Sequence, residues 1–408
     1  MSTSRATICF PFVGHDLGGS HISALGLIRA LDRSRFEPLV LVQDQDGPIA
    51  SLFLDAGIKT ELAPPSPPFS HGERLGPRDL FALARTAGRL AHFLRTRGIA
   101  IVHTNDGRSH ANWALPAKLA GARLVWHHRG SPDAIGKRLL APLIADQIIS
   151  VSDFAARPRG FALPARRSAV LHSPFDTSLV EDRANSRQEL LLELGCDPST
   201  HLLGFFGALT ARKRPLLFVE AIAKLIARAP GLPVRGVIFG EDFDITAAMI
   251  RKRAGSLGIE RAIHLMGFRT PGSRWLAACD LLMVPAIDEP FGRTLIEAML
   301  VGTPVVATRS GGNVEALRDG QLGLLVDPEN SDALAEASLR ALSDAEVQDV
   351  MAPRAQTDAR ARFGIVQHAG AVMAFYDELL RKRSGKKDAA SQLHRHASAI
   401  ASAHSSAD

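Results

Sequence analysis

The stretch Asp280–Asp327, DLLMVPAIDEPFGRTLIEAMLVGTPVVATRSGGNVEALRDGQLGLLVD, leaves the chain few folding options. Its apolar run Leu281–Val284 is short and stopped by Pro285, which predicts a buried strand. Leu295, Met299 and Leu300 follow with helical spacing, and Gly302 is placed to end that helix. Pro304–Ala307 begins the next strand. The result is one strand–loop–helix–strand unit, with Glu289 in the loop and Glu297 early on the helix. Both carboxylates then face the crevice at the carboxyl end of a parallel sheet, where open α/β folds bind ligands.

Two isolated acids would read as solvated surface. Here Pro-Phe-Gly-Arg-Thr lies between them and places a helix N-terminus near Gly292–Thr294. Free N–H groups and the positive end of the helix dipole suit a phosphate there. Carboxylates accept hydrogen bonds from vicinal hydroxyls. A phosphate site flanked by two such acids describes a nucleotide-sugar pocket.

The stretch resembles the signature of the retaining glycosyltransferases of family 4, which have the GT-B fold. The E-x7-E pattern falls on Glu289 and Glu297, and the Gly-Gly-x-x-E element on Gly311, Gly312 and Glu315. The resemblance covers most of residues 5–380 and is sharper in the second half. It implies that Glu289 sits by the donor sugar and Glu297 holds the ribose hydroxyls. It also implies that the backbone at Phe291, Gly292, Arg293 and Thr294 meets the sugar and the diphosphate.

Length and composition agree. A chain of 408 residues, 46% hydrophobic, is about two domains with sizeable cores. Three scattered cysteines, Cys9, Cys196 and Cys279, argue against a disulfide framework and for a reducing compartment. No apolar run reaches the length of a membrane span, and the start of the chain lacks a signal-peptide design. The expected location is cytoplasmic, with the inner face of the plasma membrane as an alternative. Residues 1–176 carry a net charge of +7 and the remainder −1. The segment Arg78–Arg97 predicts an amphipathic helix with five arginines and one aspartate, and Phe81, Leu90 and Phe93 among its apolar positions. Such a helix packs on a core with a solvated basic face, or contacts an anionic membrane surface. No nucleic-acid signature accompanies it.

The first half has an α/β rhythm. Strands are expected at Ala6–Phe10, Pro38–Val42, Ile99–His103, Leu124–His127 and Gln147–Val151, with a helix at His21–Leu31. Ala63–Pro68, APPSPP, reads as a loop. The Gly-rich turn Pro11–Ser20 joins the first strand and helix, and no full G-x-G-x-x-G is present, which counts against a dinucleotide dehydrogenase. By the resemblance, Gly18-Gly19-Ser20 approaches the donor phosphates. His103-Thr-Asn-Asp106 resembles the family's His-Thr-His, with Asn105 in place of the second histidine. Trp126-His-His-Arg-Gly130 lies at another strand end, and alternation sends His127 and His128 to opposite faces. The family places a histidine by the reacting sugar near here. The best register puts Arg129 at that position and His128 one residue earlier.

His172-Ser-Pro-Phe-Asp176 resembles the family linker. A strand at Leu202–Phe206 follows, then Gly207-Ala-Leu-Thr-Ala-Arg-Lys-Arg-Pro215, with Pro215 opening the helix Leu216–Arg228. Arg212, Lys213 and Arg214 cluster at a helix N-terminus, an anion site. The family's diphosphate clamp Gly-Arg-x-x-x-x-Lys matches at Gly207 and Lys213, but Ala208 replaces the arginine, leaving Arg212 or Arg214 to compensate. Strands at Val237–Phe239 and Ile263–Met266 lead into further pocket loops, and the loop Gly267–Thr270, with Phe268, approaches the nucleobase by the resemblance.

The organisation expected is a GT-B arrangement of two Rossmann-like, doubly wound domains facing a cleft. The first spans residues 1–176, the second 177–364, and a helix at 365–382 packs back on the first. A tail at 384–408, rich in Ser, Ala, His and Lys, should be disordered. The expected activity is retaining transfer from a nucleotide-diphospho-sugar to a glycan or lipid-linked acceptor, without metal or cofactor. A GT-B sugar-nucleotide epimerase and a non-catalytic nucleotide-sugar-binding subunit are the alternatives.

Overall fold

The computed structural model describes residues 5–67, 76–157 and 167–382. Two parallel sheets organise it. The first contains β1 (Ala6–Pro11), β2 (Phe36–Val42), β3 (Thr60–Leu62), β4 (Ile101–Thr104), β5 (Arg123–His128), β6 (Gln147–Ser150) and β7 (Ser168–Val170). Its order is β3-β2-β1-β4-β5-β6-β7. The second contains β8 (His201–Phe206), β9 (Val234–Phe239), β10 (Ile263–Gly267), β11 (Leu281–Val284), β12 (Val305–Thr308) and β13 (Leu324–Val326), in the order β10-β9-β8-β11-β12-β13. Both are doubly wound. The order reverses between β1 and β4 in one sheet and between β8 and β11 in the other. Each reversal opens a crevice at the carboxyl ends of the strands.

Alternation along the strands gives each sheet two apolar faces. In β1, Ile8 and Phe10 join one core, while Cys9 faces a second core with Trp113, Leu124 and Trp126. In the second sheet, Leu203 and Phe205 face Phe218 and Ile222, whereas Leu202 and Phe206 share a core with Leu295 and Met299. Residues 365–382 are helical, and Ala369, Val372, Tyr376 and Leu379 belong to the core of Ile8 and Phe10. The chain thus crosses between the domains twice. The two crossings run side by side where the Phe175 N–H donates to the Phe363 carbonyl at 2.8 Å.

The helix expected at Arg78–Arg97 spans Pro77–Thr96 and buries Ala87, Leu90, Ala91 and Leu94. Phe81, one of its apolar positions, is 65% exposed, with Leu80 beside it at 57%. Two of its arginines are tied down, Arg89 to the Pro65 carbonyl at 2.7 Å and Arg95 to the Leu119 carbonyl at 3.0 Å. Arg85 lies over the Phe81 ring. Among the described residues no helix is long and apolar enough to cross a membrane. The first helix spans Gly19–Arg29, two residues earlier than expected, with Gly18 as its N-cap. Pro68, the histidines His394, His396 and His404, and the tail at 384–408 lie outside the described residues.

Candidate active site

The loop after β11 and the loop after β8 meet at the second sheet's reversal point. Glu289, in the first of these, is 8% exposed. Its Oε2 accepts from the Arg212 guanidinium at 2.6 Å and lies 3.8 Å from Lys213 Nζ. Burial works against its ionisation, but Lys213 and Arg212 together outweigh it and hold the carboxyl below its usual range. The loop is braced from behind. Gly312 N–H donates to the Glu289 carbonyl at 2.7 Å, and Asp288 N–H to Ser310 Oγ at 2.9 Å. A Cβ on Gly311, whose φ is +60°, would come within 2.4 Å of the Glu289 carbonyl oxygen. A Cβ on Gly312 would likewise meet the Pro290 carbonyl oxygen at 2.6 Å, and the two contacts together explain two glycines at this point in the sequence.

Gly207 serves Lys213 in the same way. A Cβ at Gly207 would lie 2.6 Å from Lys213 Nζ, so glycine leaves room for the lysine to reach over the end of β8. Gly240, which opens the pocket loop expected after Val237–Phe239, has its Cα against the Gly207 carbonyl, where a Cβ would sit at 2.0 Å. Pro215 opens the helix Pro215–Arg228. Of the two arginines in reach of the absent clamp residue, Arg212 faces Glu289, while Arg214 turns away to Glu329 at 2.6 Å. Phe268, after β10, is 66% exposed at the rim of this domain.

Gly292 is the N-cap of the helix Arg293–Leu300, and no side chain caps it, so its first amides remain open. Arg293 spans the two domains. Its guanidinium donates to Ser23 Oγ at 2.9 Å, to the Pro174 carbonyl at 3.3 Å and to Glu297 Oε1 at 3.1 Å, and it lies over the Phe175 ring. Gly19 is pressed against it, since a Cβ there would meet Arg293 Cδ at 2.6 Å. Gly18 donates its N–H to His21 Nδ1 at 3.1 Å. Thr294 is half-buried, one residue into the helix. Phe291 is buried in an aromatic hinge, stacked on His172 and edge-on to Phe363.

Across the cleft, the ends of β4 and β5 carry a buried chain of polar rings. Arginine can only donate, so the 3.3 Å contact from Arg129 makes His127 Nδ1 an acceptor. His103 Nε2, 3.1 Å from that atom, must then donate. His103 Nδ1 in turn accepts from the Tyr376 hydroxyl at 2.5 Å. Burial, then the Arg129 charge, holds both histidines neutral. His128 faces the other way. Its Nε2 meets the Ser131 carbonyl at 2.9 Å, and burial and Lys137 pull its pKa down to about 4. Strand alternation therefore separates His128 from Arg129. Asn105 is fully buried, and Asp106 caps the helix Gly107–Leu119 through the Ser109 N–H.

The sequence reading missed what joins the halves. Glu315 accepts from the Asp153 N–H at 2.7 Å and meets His172 Nε2 at 2.6 Å. Ser152 Oγ donates to the Pro290 carbonyl at 2.5 Å. Nothing local to these residues signals partners so distant in sequence.

Two doubly wound domains, with a helix from the end of the second packed on the first and a charged crevice between, make this a GT-B protein. Residues 17–179 match the family described as Glycosyltransferase Family 4, and residues 200–344 that described as Glycosyl transferases group 1. A D-inositol 3-phosphate glycosyltransferase of Corynebacterium urealyticum is 35% identical over 191 residues, 46% of this chain and 45% of that protein. The chain thus spans about half the length of such curated relatives. The lipopolysaccharide core biosynthesis mannosyltransferase LpsB of Rhizobium meliloti is 27% identical, over 63% of this chain and 80% of that one. Among solved structures, Anabaena HepE in complex with UDP and glucose superposes with a TM-score of 0.75 at 23% identity, over 92% of this chain and 100% of that one. The chain therefore carries a Glycosyltransferase Family 4 domain followed by a glycosyl transferases group 1 domain.

Proposed function

We propose that the chain is a retaining glycosyltransferase. It moves a sugar from a nucleotide-diphospho-sugar to a glycan or lipid-linked acceptor, in cell-surface polysaccharide or glycolipid synthesis. The observation that carries this reading is the meeting of Lys213, Arg212, Glu289 and the open N-terminus of Arg293–Leu300 at one reversal point. Cations and backbone amides there suit a departing diphosphate, whose developing charge they stabilise without reorganising. A diphosphate competes with Glu289 for Arg212 and frees the Glu289 carboxylate to meet the sugar. Glu297, four residues along the helix from Arg293, holds the ribose hydroxyls. The departing phosphate assists the incoming hydroxyl on the same face of the sugar, so no residue forms a covalent intermediate. No metal is required, because protein groups neutralise the diphosphate.

The acceptor enters from the first domain, past Arg129. HepE was crystallised with UDP-glucose, and LpsB by its name belongs to lipopolysaccharide core synthesis. The first supports a nucleotide-sugar donor and the second a surface-glycan product. The exposed pair Leu80 and Phe81, beside Arg85, supports docking of this helix on an anionic membrane at its cytoplasmic face. Binding titrations with UDP-, GDP- and ADP-sugars, followed by NMR of the product's anomeric configuration, test the proposal. Inversion at the anomeric carbon, or no binding of any sugar nucleotide, would sink it.

A further inference from the structure

The first domain contributes to the cleft a cation that forms no ion pair among the described residues. Arg129 donates to Ser173 Oγ at 3.0 Å and to His127 Nδ1 at 3.3 Å, both neutral, and its Nε is buried without a partner. No carboxylate ion pair with it is found among the described residues. Arg293 comes from the second domain and bonds the Pro174 carbonyl, the residue next to Ser173. Two guanidinium groups from opposite domains therefore reach consecutive residues of one linker. Arg293 has Glu297 to balance it; Arg129 hydrogen-bonds only neutral groups, and the attraction of the Asp106 carboxylate is weaker than the cost of burial and the repulsion of Arg293. A buried cation in such a place is costly unless an anion joins it.

Two further features open onto the same place. The helix Arg293–Leu300 begins at Arg293 with uncapped amides, and the helix Gly19–Arg29 begins at Gly19, whose Cα lies against the Arg293 side chain. Glycine there keeps the backbone of the second helix close to the guanidinium. The family's usual arginine is meanwhile absent at Ala208. Arg212, which can compensate for it, is shared with Glu289.

We propose that Arg129 and Arg293 form an interdomain clamp for a phosphate group, adding positive charge to that of Arg212 and Lys213. The group is a phosphate oxyanion, brought either by the donor's diphosphate or by a phosphorylated acceptor. Bidentate guanidinium contacts from two sides suit its tetrahedral array of oxygens. The clamp also links ligand binding to closure, because its halves sit on different domains. The inference rests on the transferase reading only for the source of the phosphate.

The test is equilibrium binding without turnover, on the full chain. UDP, with GDP and ADP beside it, is titrated against the parent, Arg129→Gln, Arg293→Gln and Arg129→Lys, and the matching nucleosides serve as controls. Inorganic phosphate is titrated separately in a Lys213→Ala background, which removes the second-domain phosphate ligand. Clamping of the donor predicts a tenfold or greater loss of diphosphate affinity in both Gln variants. Nucleoside affinity should change less than twofold, and Arg129→Lys should retain part of the affinity. Parent-like diphosphate affinity, with phosphate binding lost on adding Arg129→Gln, assigns the clamp to a phosphorylated acceptor. Parent-like binding of both probes in thermally stable Gln variants overturns the proposal. The phosphate titration decides the matter even if no nucleotide binds, so failure of the donor reading stays distinguishable.

Discussion

Gly311 lies so close behind Glu289 that a single added carbon would stand 2.4 Å from the Glu289 carbonyl oxygen. The position of the acid is therefore set by a residue twenty-two places further along. Gly311→Ala meets both this contact and a φ of +60°. It should cost about 2–4 kcal/mol of stability and displace Glu289. Gly57→Ala, at φ +74° with nothing within 4 Å, isolates the conformational part and should cost only about 1 kcal/mol. Urea unfolding of the two variants makes the comparison; equal losses would refute the contact argument.

Lys213 lies 3.8 Å from Glu289 and close over Gly207. Lys213→Ala should weaken nucleoside diphosphate binding by about 1.5–3 kcal/mol, the usual value of a hydrogen bond to a charged group. The bare nucleoside should bind as before. Calorimetry showing undiminished diphosphate affinity would remove the phosphate assignment.

The two acids of the opening motif have different surroundings and should fail differently. Glu289, in the loop, is expected to act near the reacting carbon, so Glu289→Gln should lower kcat more than donor affinity. Glu297, on the helix, is expected to hold the ribose, so Glu297→Ala should weaken nucleotide binding by about 1–3 kcal/mol. Steady-state kinetics beside titration separates the two roles, and parent-like values in both variants would undo the assignment.

The second domain's architecture was more legible than its connections. Leu281–Val284 is a strand at the bounds its apolar run gives, and Gly302, at φ +76°, follows the helix that it was placed to end. Short runs bounded by Pro and Gly carry their own signal. The strands Thr60–Leu62, Ser168–Val170 and Leu324–Val326 did not, because three residues at or near a sheet edge are too few to show alternation. The roles of Arg212 and Arg214 could not be told apart, since their partners, Glu289 and Glu329, are distant in sequence. Tyr376, the chain's one tyrosine, drew no notice; only the fold brings its hydroxyl to His103.

Acid should unfold this protein early. Burial depresses His103, His110 and His127, and brings His128 to about 4 and His368 to about 3. The unfolded chain takes up these protons near pH 6.5, before the folded one does. Their stabilising effect is thus complete above pH 6.5 and is lost as pH falls from there toward 4 and below. His128 alone accounts for roughly 3 kcal/mol at full protonation. Urea midpoints should fall steeply between pH 7 and pH 4.5, and His128→Asn should flatten the slope. A level profile in the parent would contradict the picture.

Leu80 and Phe81 stand in the open beside Arg85. Leu80→Ser with Phe81→Ser should reduce sedimentation with anionic vesicles several-fold and leave the melting temperature within a degree or two. Replacing Arg85, Arg89 and Arg95 by Gln should do the same to vesicle binding. A parent protein that ignores anionic vesicles would end the membrane hypothesis.

The helix at 365–382 places Tyr376 and Leu379 in one core with Ile8 and Phe10. During synthesis the first strand leaves the ribosome hundreds of residues before the side chains that finish its core. The second domain takes its core from a continuous stretch that ends at Phe363, so it can close without the last helix. The domain made first is therefore completed last, and until then its unfinished apolar face is open to chaperones. A chain cut short and released after residue 364 should hold a folded second domain beside a first domain that a protease still cuts.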